Sequence, residues 1–146
     1  MENIDEVVEA LGRLLVLPAK VDPQGGYQAI LNDKMRFRIE INENIKWVNI
    51  IADLGEVPPG AYRLNLFKAA LRANGAFGPR AGTMGFAENN RHMLLFDKLY
   101  IYDLTEDSLQ IALGPFIEKG LIWTDHIAAG SLPDFQPSGG GNPFGV

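Results

Sequence analysis

Apolar residues at positions 4, 7, 8, 11, 14 and 15 recur at helical spacing, with Asn3 and Glu6 in capping-box register ahead of them. They predict a first helix that runs to about Leu17 and stops before Pro18. DPQGG at 22–26 is turn chemistry, after which YQAIL, MRFRIEI and IKWVNIIADL predict three strands of an antiparallel meander joined by the polar turns NDK and NEN. The second strand alternates, with Met35, Phe37, Ile39 and Ile41 opposed to Arg36, Arg38 and Glu40. The third offers Trp47 and Ile51 to one face and Val48, Ile50 and Ala52 to the other, so both of its faces require cover. GEVPPG is a stiff connector to a second helix over 62–74, closed by Asn74-Gly75. GTMGF and RHMLLFDKLYIYDL form a second strand pair around Glu88-Asn89-Asn90, and Thr105 caps a last helix with the stripe Leu109, Leu113, Phe116, Gly120, Trp123 and Ile127. Gly114-Pro115 predicts a kink or break in that helix. The order is αβββαββα, an α+β domain over 1–129, followed by a Gly/Pro-rich tail over 130–146 expected to be flexible.

The second helix has an apolar stripe too many. Leu64, Phe67 and Leu71 fall on one side, while Tyr62, Leu66, Ala69, Ala70 and Ala73 gather on the other. One stripe suffices to seat a helix on its own core. The remaining one predicts a contact with a second copy, for which a two-fold axis lets one patch complement itself. Tyr62, Leu66, Ala69, Ala70 and Ala73 are assigned to this homodimer interface, because the alanines permit close backbone approach.

Composition narrows the function classes. The 146 residues are 47% hydrophobic and 21% charged, the profile of one compact domain, and no run is long enough to span a bilayer. An acidic N-terminus without the basic start of a signal peptide leads to a cytoplasmic expectation. With no cysteine, thiolate metal sites and a cysteine nucleophile are excluded. Eighteen acidic against 13 basic residues, without a basic cluster, argue against nucleic acid and membrane partners. His92 and His126 lack partners at ligand spacing, and Asp103, Glu106 and Asp107 are read as favourable charges at a helix start. Glycines 75, 78, 82 and 85 do not form a phosphate-binding fingerprint. No catalytic residue, metal site or cofactor is assigned, and the expectation is a protein that is not an enzyme.

EALGRLLVLP, ADLGEVPPG, LFKAALRANG, GTMGF and LLFDKLYIYDLTEDSL, with Phe116 and Trp123 downstream, arrive in an order that resembles the Tir-chaperone (CesT-like) group of class I type III secretion chaperones. The resemblance covers about residues 4 to 128. It implies a homodimer of αβββαββα protomers, with a twisted antiparallel sheet packed by helices. It also implies that an effector's N-terminal region is held extended and presented to a secretion ATPase or sorting machinery. Carried over by position, the dimer helix is 62–73, and the effector-binding residues are Val16, Leu17, Tyr27, Ile30, Phe37, Trp47 and Ile50. Two other readings stand beside it: an adaptor or regulator binding an apparatus component or transcription factor, and a small ligand-binding or enzymatic α+β domain. Gly114-Pro115 and the glycine-rich tail depart from the family pattern.

Overall fold

The computed structural model describes residues 4–15, 20–21, 26–42, 44, 46–76 and 81–133. Asn3 of the expected capping box, Val16, Leu17 and residues 134–146 of the tail lie outside the described residues. Helix α1 (Ile4–Leu15) leads to β1 (Lys20–Val21), β2 (Tyr27–Leu31), β3 (Met35–Asn42) and β4 (Trp47–Glu56). Helix α2 (Ala61–Asn74) is followed by β5 (Thr83–Ala87), β6 (His92–Tyr100), a 3-10 turn (Ile101–Asp103) and α3 (Glu106–Ala129). The two-residue β1 is an addition to the order expected from the sequence. So is the 3-10 turn, which ends β6 at Tyr100 where the sequence suggests a strand running on; the other elements are those the periodicity predicts.

The strands form one antiparallel sheet in the order β1-β2-β3-β4-β6-β5. At the β2–β3 hairpin, Asn32 and Asp33 adopt left-handed φ values of 53° and 56°, a conformation that Asn and Asp tolerate better than most side chains. Strands β4 and β5 both pair antiparallel with β6, so they run parallel to each other and α2 is the crossover between them. The stiffness of Pro58-Pro59 and the φ of 145° at Gly60 turn the chain from β4 into α2.

One face of the sheet carries the core. Met35, Phe37 and Ile39 on β3, Val48, Ile50, Ala52 and Leu54 on β4, and Met93 and Leu95 on β6 are all buried. Against them lie Val7, Ala10 and Leu11 of α1 and Leu109, Leu113, Phe116 and Trp123 of α3. The rings of Phe37 and Phe116 meet edge to face at 6.1 Å, which adds about 0.5–1.5 kcal/mol to their burial. Gly120 allows α3 to sit close on the sheet, since a Cβ there would meet Met35 Sδ at 2.6 Å. Thr105 caps α3 by accepting from the Ser108 N–H at 3.1 Å, and Ser108 Oγ accepts from the Thr105 N–H at 2.8 Å.

Of the kink or break expected at Gly114-Pro115, the break does not occur: α3 continues through both residues to Ala129. Both residues are exposed, as is Ile111, whose carbonyl the proline leaves without its helical donor, so water can satisfy that carbonyl. Among the described residues no helix is long and apolar enough to cross a membrane.

Candidate functional site

Three surfaces remain once the core is assigned. The first is a small cleft, open to solvent, where the C-terminal half of α1 meets β2 and β3, lined by Leu11, Leu15, Tyr27, Gln28, Ala29, Phe37 and Ile39. Alternation of β2 aims Tyr27 and Ala29 at this cleft, and the helical stripe of α1 supplies its leucines. The lining is almost wholly apolar. Such a site takes an apolar side chain and offers almost nothing to a polar one.

The second is the sheet face away from the helices. Register places Ile51 between Arg38 and Phe96, and Trp47 between Asn42 and Tyr100. Ile30 pairs with Arg36, which lies opposite Asp53, and Asp53 faces Leu94 across β6. Ile30 is 57% exposed, while Phe96 and Tyr100 are each 39% exposed. Trp47 tilts against Tyr100 at 5.6 Å, Tyr100 meets Tyr102 edge-on at 5.5 Å, and the Lys98 ammonium lies 5.8 Å from the Trp47 ring centre. Large apolar side chains therefore alternate with charges across a face that no helix covers among the described residues.

The third surface is the outer side of α2. Leu66 is fully buried, Ala69, Ala70 and Ala73 are nearly so, and Tyr62 is half-buried, donating from its hydroxyl to the Ser131 carbonyl at 2.9 Å. Burial pushes the Tyr62 phenol above its ordinary value. These five residues were the ones assigned to the partner. The structure instead turns them toward their own chain and points Leu64 and Leu71 outward, 58% and 71% exposed. Within one chain, the side of α2 expected to meet a partner is the inner one, and Leu64 and Leu71 lie on the outer one. The physical reason is space: Ala69, Ala70 and Ala73 let α2 lie close beside the sheet, with Leu66 the one leucine on the inner side. Phe67 stays half-buried, with its ring 4.9 Å from Phe86 on β5.

The expected effector residues divide in the same way. Ile30 and Trp47 are on the uncovered face and Tyr27 is at the cleft, whereas Ile50 is in the core and only 2% exposed. Phe37 is also a core residue, 1% exposed, and it touches the cleft only as part of its floor. Both side chains lie on the helix-facing side of their strands, so neither belongs to the uncovered face. Sequence reasoning passed over Phe96 and Tyr100, although their alternation along β6 with buried Met93 and Leu95 carried the signal.

The titratable groups form structural pairs. His92 Nδ1 lies 2.7 Å from Asp53 Oδ1, and the same carboxylate oxygen accepts from the Gly55 N–H at 3.0 Å, where the β4–β6 register shifts. His126 Nδ1 is 2.8 Å from Ser131 Oγ at the end of α3. Arg13 Nε and Glu106 Oε1 are 3.0 Å apart, joining α1 to the start of α3. The hydrogen bond and charge of Arg13 hold the Glu106 carboxyl below its ordinary value, and Glu106 raises Arg13 in turn. Among the described residues no group of three His, Cys, Asp or Glu side chains is placed to hold a metal ion.

Solved structures share this arrangement. A chain of the HopA1–SchA chaperone–effector complex superposes with a TM-score of 0.61 at 15% identity, covering 83% of this chain and 92% of that one. A chain of the heterodimeric ExoU–SpcU complex from the type III secretion system of Pseudomonas aeruginosa gives 0.62 at 14% identity, over 83% and 97%. The fold is that of the type III secretion chaperones. A chain from the Yersinia pestis type III secretion chaperone SycH, in complex with a fragment of YscM2, gives 0.55 at 15% identity, over 80% and 95%. No family model matches the sequence, and no curated protein does. A type III secretion chaperone fold at this identity is preserved through the pattern of apolar positions, which many different sequences satisfy.

Proposed function

We propose that the protein is a class I type III secretion chaperone of the Tir-chaperone kind, acting without catalysis in the bacterial cytoplasm. It binds a segment near the N-terminus of a secreted effector in extended form and keeps that segment soluble until secretion. The carrying observation is the uncovered sheet face, where Ile30, Phe96 and Tyr100 stay exposed beside Trp47, with the α1 cleft on the opposite side of the sheet. An extended segment loses ordering entropy on binding, so it needs contacts spread along its length rather than one deep pocket. The cleft takes single apolar side chains, and the sheet face supplies the rest. Self-association through Leu64, Phe67 and Leu71 of α2 doubles these surfaces on one particle.

Copurification from the native cytosol tests the reading: a secreted protein's N-terminal region should come along at a fixed ratio. Ile30→Asp with Trp47→Asp should abolish its capture while leaving the circular dichroism spectrum and melting temperature nearly unchanged. Unaltered capture by this double variant would remove the sheet face from the binding site. Recovery of an apparatus component or a transcription factor instead would make the protein an adaptor.

A further inference from the structure

We propose that Asn74 acts as a substitute strand, closing the β5 edge of the sheet against addition of β5 from a second copy of this chain. In an antiparallel edge strand, alternate residues turn both the N–H and the C=O away from the neighbouring strand. At Met84 both groups are held by one side chain: Asn74 Oδ1 accepts from the Met84 N–H at 2.8 Å, and Asn74 Nδ2 donates to the Met84 carbonyl at 3.1 Å. A carboxamide carries the same donor and acceptor as a peptide group, so it presents to Met84 what an additional strand would present. Met84 pairs with Leu95 across β5 and β6, which makes Asn74 the outermost member of that row.

Position at the end of α2 explains why this residue can reach. Helix α2 closes at Asn74, where the Gly75 N–H bonds to the Leu71 carbonyl at 3.0 Å, and the chain returns only a few residues later as β5. Two further contacts seat the same helix beside the strand: the Phe67 ring at 4.9 Å from Phe86, and the Arg63 guanidinium at 4.9 Å from the Phe86 ring centre. The opposite edge is built differently. Strand β1 pairs only with Tyr27 and Gln28, so the outer side of Ala29, Ile30 and Leu31 has no strand neighbour among the described residues. An unprotected edge of a short, largely apolar strand such as TMGFA is a template for pairing between copies, and natural sheets block such edges. Resting on the chaperone reading, the closure of β5 leaves the β2 side as the edge where an extended client can pair.

The test is Asn74→Ala, with amide exchange followed residue by residue and mass followed by sedimentation velocity over a concentration series. Met84 is protected in the wild type, and its exchange rises about fivefold or more in the variant, while Ala52 and Leu95 keep their rates. Species beyond the wild-type mass appear with rising concentration. If all amides accelerate together in the alanine variant, Asn74→Asp decides: it keeps an acceptor for the Met84 N–H and loses the donor, so Met84 stays protected while association still rises. Unchanged Met84 exchange in Asn74→Ala, or self-association no greater than the wild type in the folded variant, overturns the assignment. Neither readout requires a client, so the chaperone reading and this one fail separately.

Discussion

Exchanging the two faces of α2 makes opposite demands on two leucines of one helix. Leu66 is fully buried in a single chain, and Leu71 is 71% exposed. Truncating Leu66 to Ala leaves a cavity in a close-packed core, which costs about 2.7–5 kcal/mol. For a chain of this size, 3 kcal/mol lowers the melting temperature by roughly 6–12 °C. Leu71→Ala removes little from the lone protomer. Full burial of a leucine is worth about 1.5–3 kcal/mol, and about 0.7 of that remains to be gained at Leu71. A two-fold contact would count the loss twice, so the proposed dimer should weaken by about 2–4 kcal/mol, roughly 30- to 1,000-fold in its dissociation constant. Urea unfolding over a protein concentration series separates the two effects. Leu66→Ala should lower the midpoint at every concentration, and Leu71→Ala only where the wild type is associated. The reverse pattern, with Leu66→Ala splitting the dimer but sparing the fold, would refute the exchange of faces.

Gly120→Ala should destabilise by about 1–3 kcal/mol, because its Cβ would collide with the fully buried Met35. Gly12→Ala, in α1 with nothing within 4 Å of the added carbon, should instead stabilise by about 0.5–1 kcal/mol. Thermal melts of the two variants should therefore move in opposite directions. The Arg13–Glu106 pair gives a pH prediction. Because the Glu106 carboxyl is depressed in the folded chain, its contribution is complete above its ordinary value of 4.5 and is lost as pH falls through the lower folded value. Glu106→Gln should remove that part of the acid sensitivity, seen as a shallower slope of stability against pH below 4.5. A slope identical to the wild type would mean that the pair contributes nothing in solution.

Element types and order were legible because each periodicity was strong. Alternation in MRFRIEI could only be a half-buried strand, and Leu109, Leu113, Phe116 and Trp123 could only share a helix face. Pattern alone gave no depth. Phe37 and Ile50 look like binding residues until β3 and β4 are seen in the middle of the sheet with α3 on their side, which buries them. Ile30 and Trp47 have the same chemistry on the opposite face and remain accessible. What distinguishes them is which side of the sheet the helices cover, and that is settled by packing among distant segments. The helix survives Gly114-Pro115 for a related reason: a proline's cost depends on whether the carbonyl it abandons can reach water, and Ile111 lies on the exposed side of α3.

On the two faces of α2, side-chain size outweighs hydrophobicity. A hydrophobic scale ranks Leu64 and Leu71 above the alanines, so it would place the leucines inside. The chain does the opposite, because the space between α2 and the sheet admits small side chains and one leucine, Leu66. Bulky apolar side chains are thus displaced to the outer surface, where water disfavours them. A second copy can relieve that cost without altering the inner packing, since the inner and outer stripes share no residue. On the proposed self-association, fold stability and the contact between copies should therefore be separately tunable on one helix. A substitution on the outer stripe can change how copies associate while the sheet and its uncovered face remain intact.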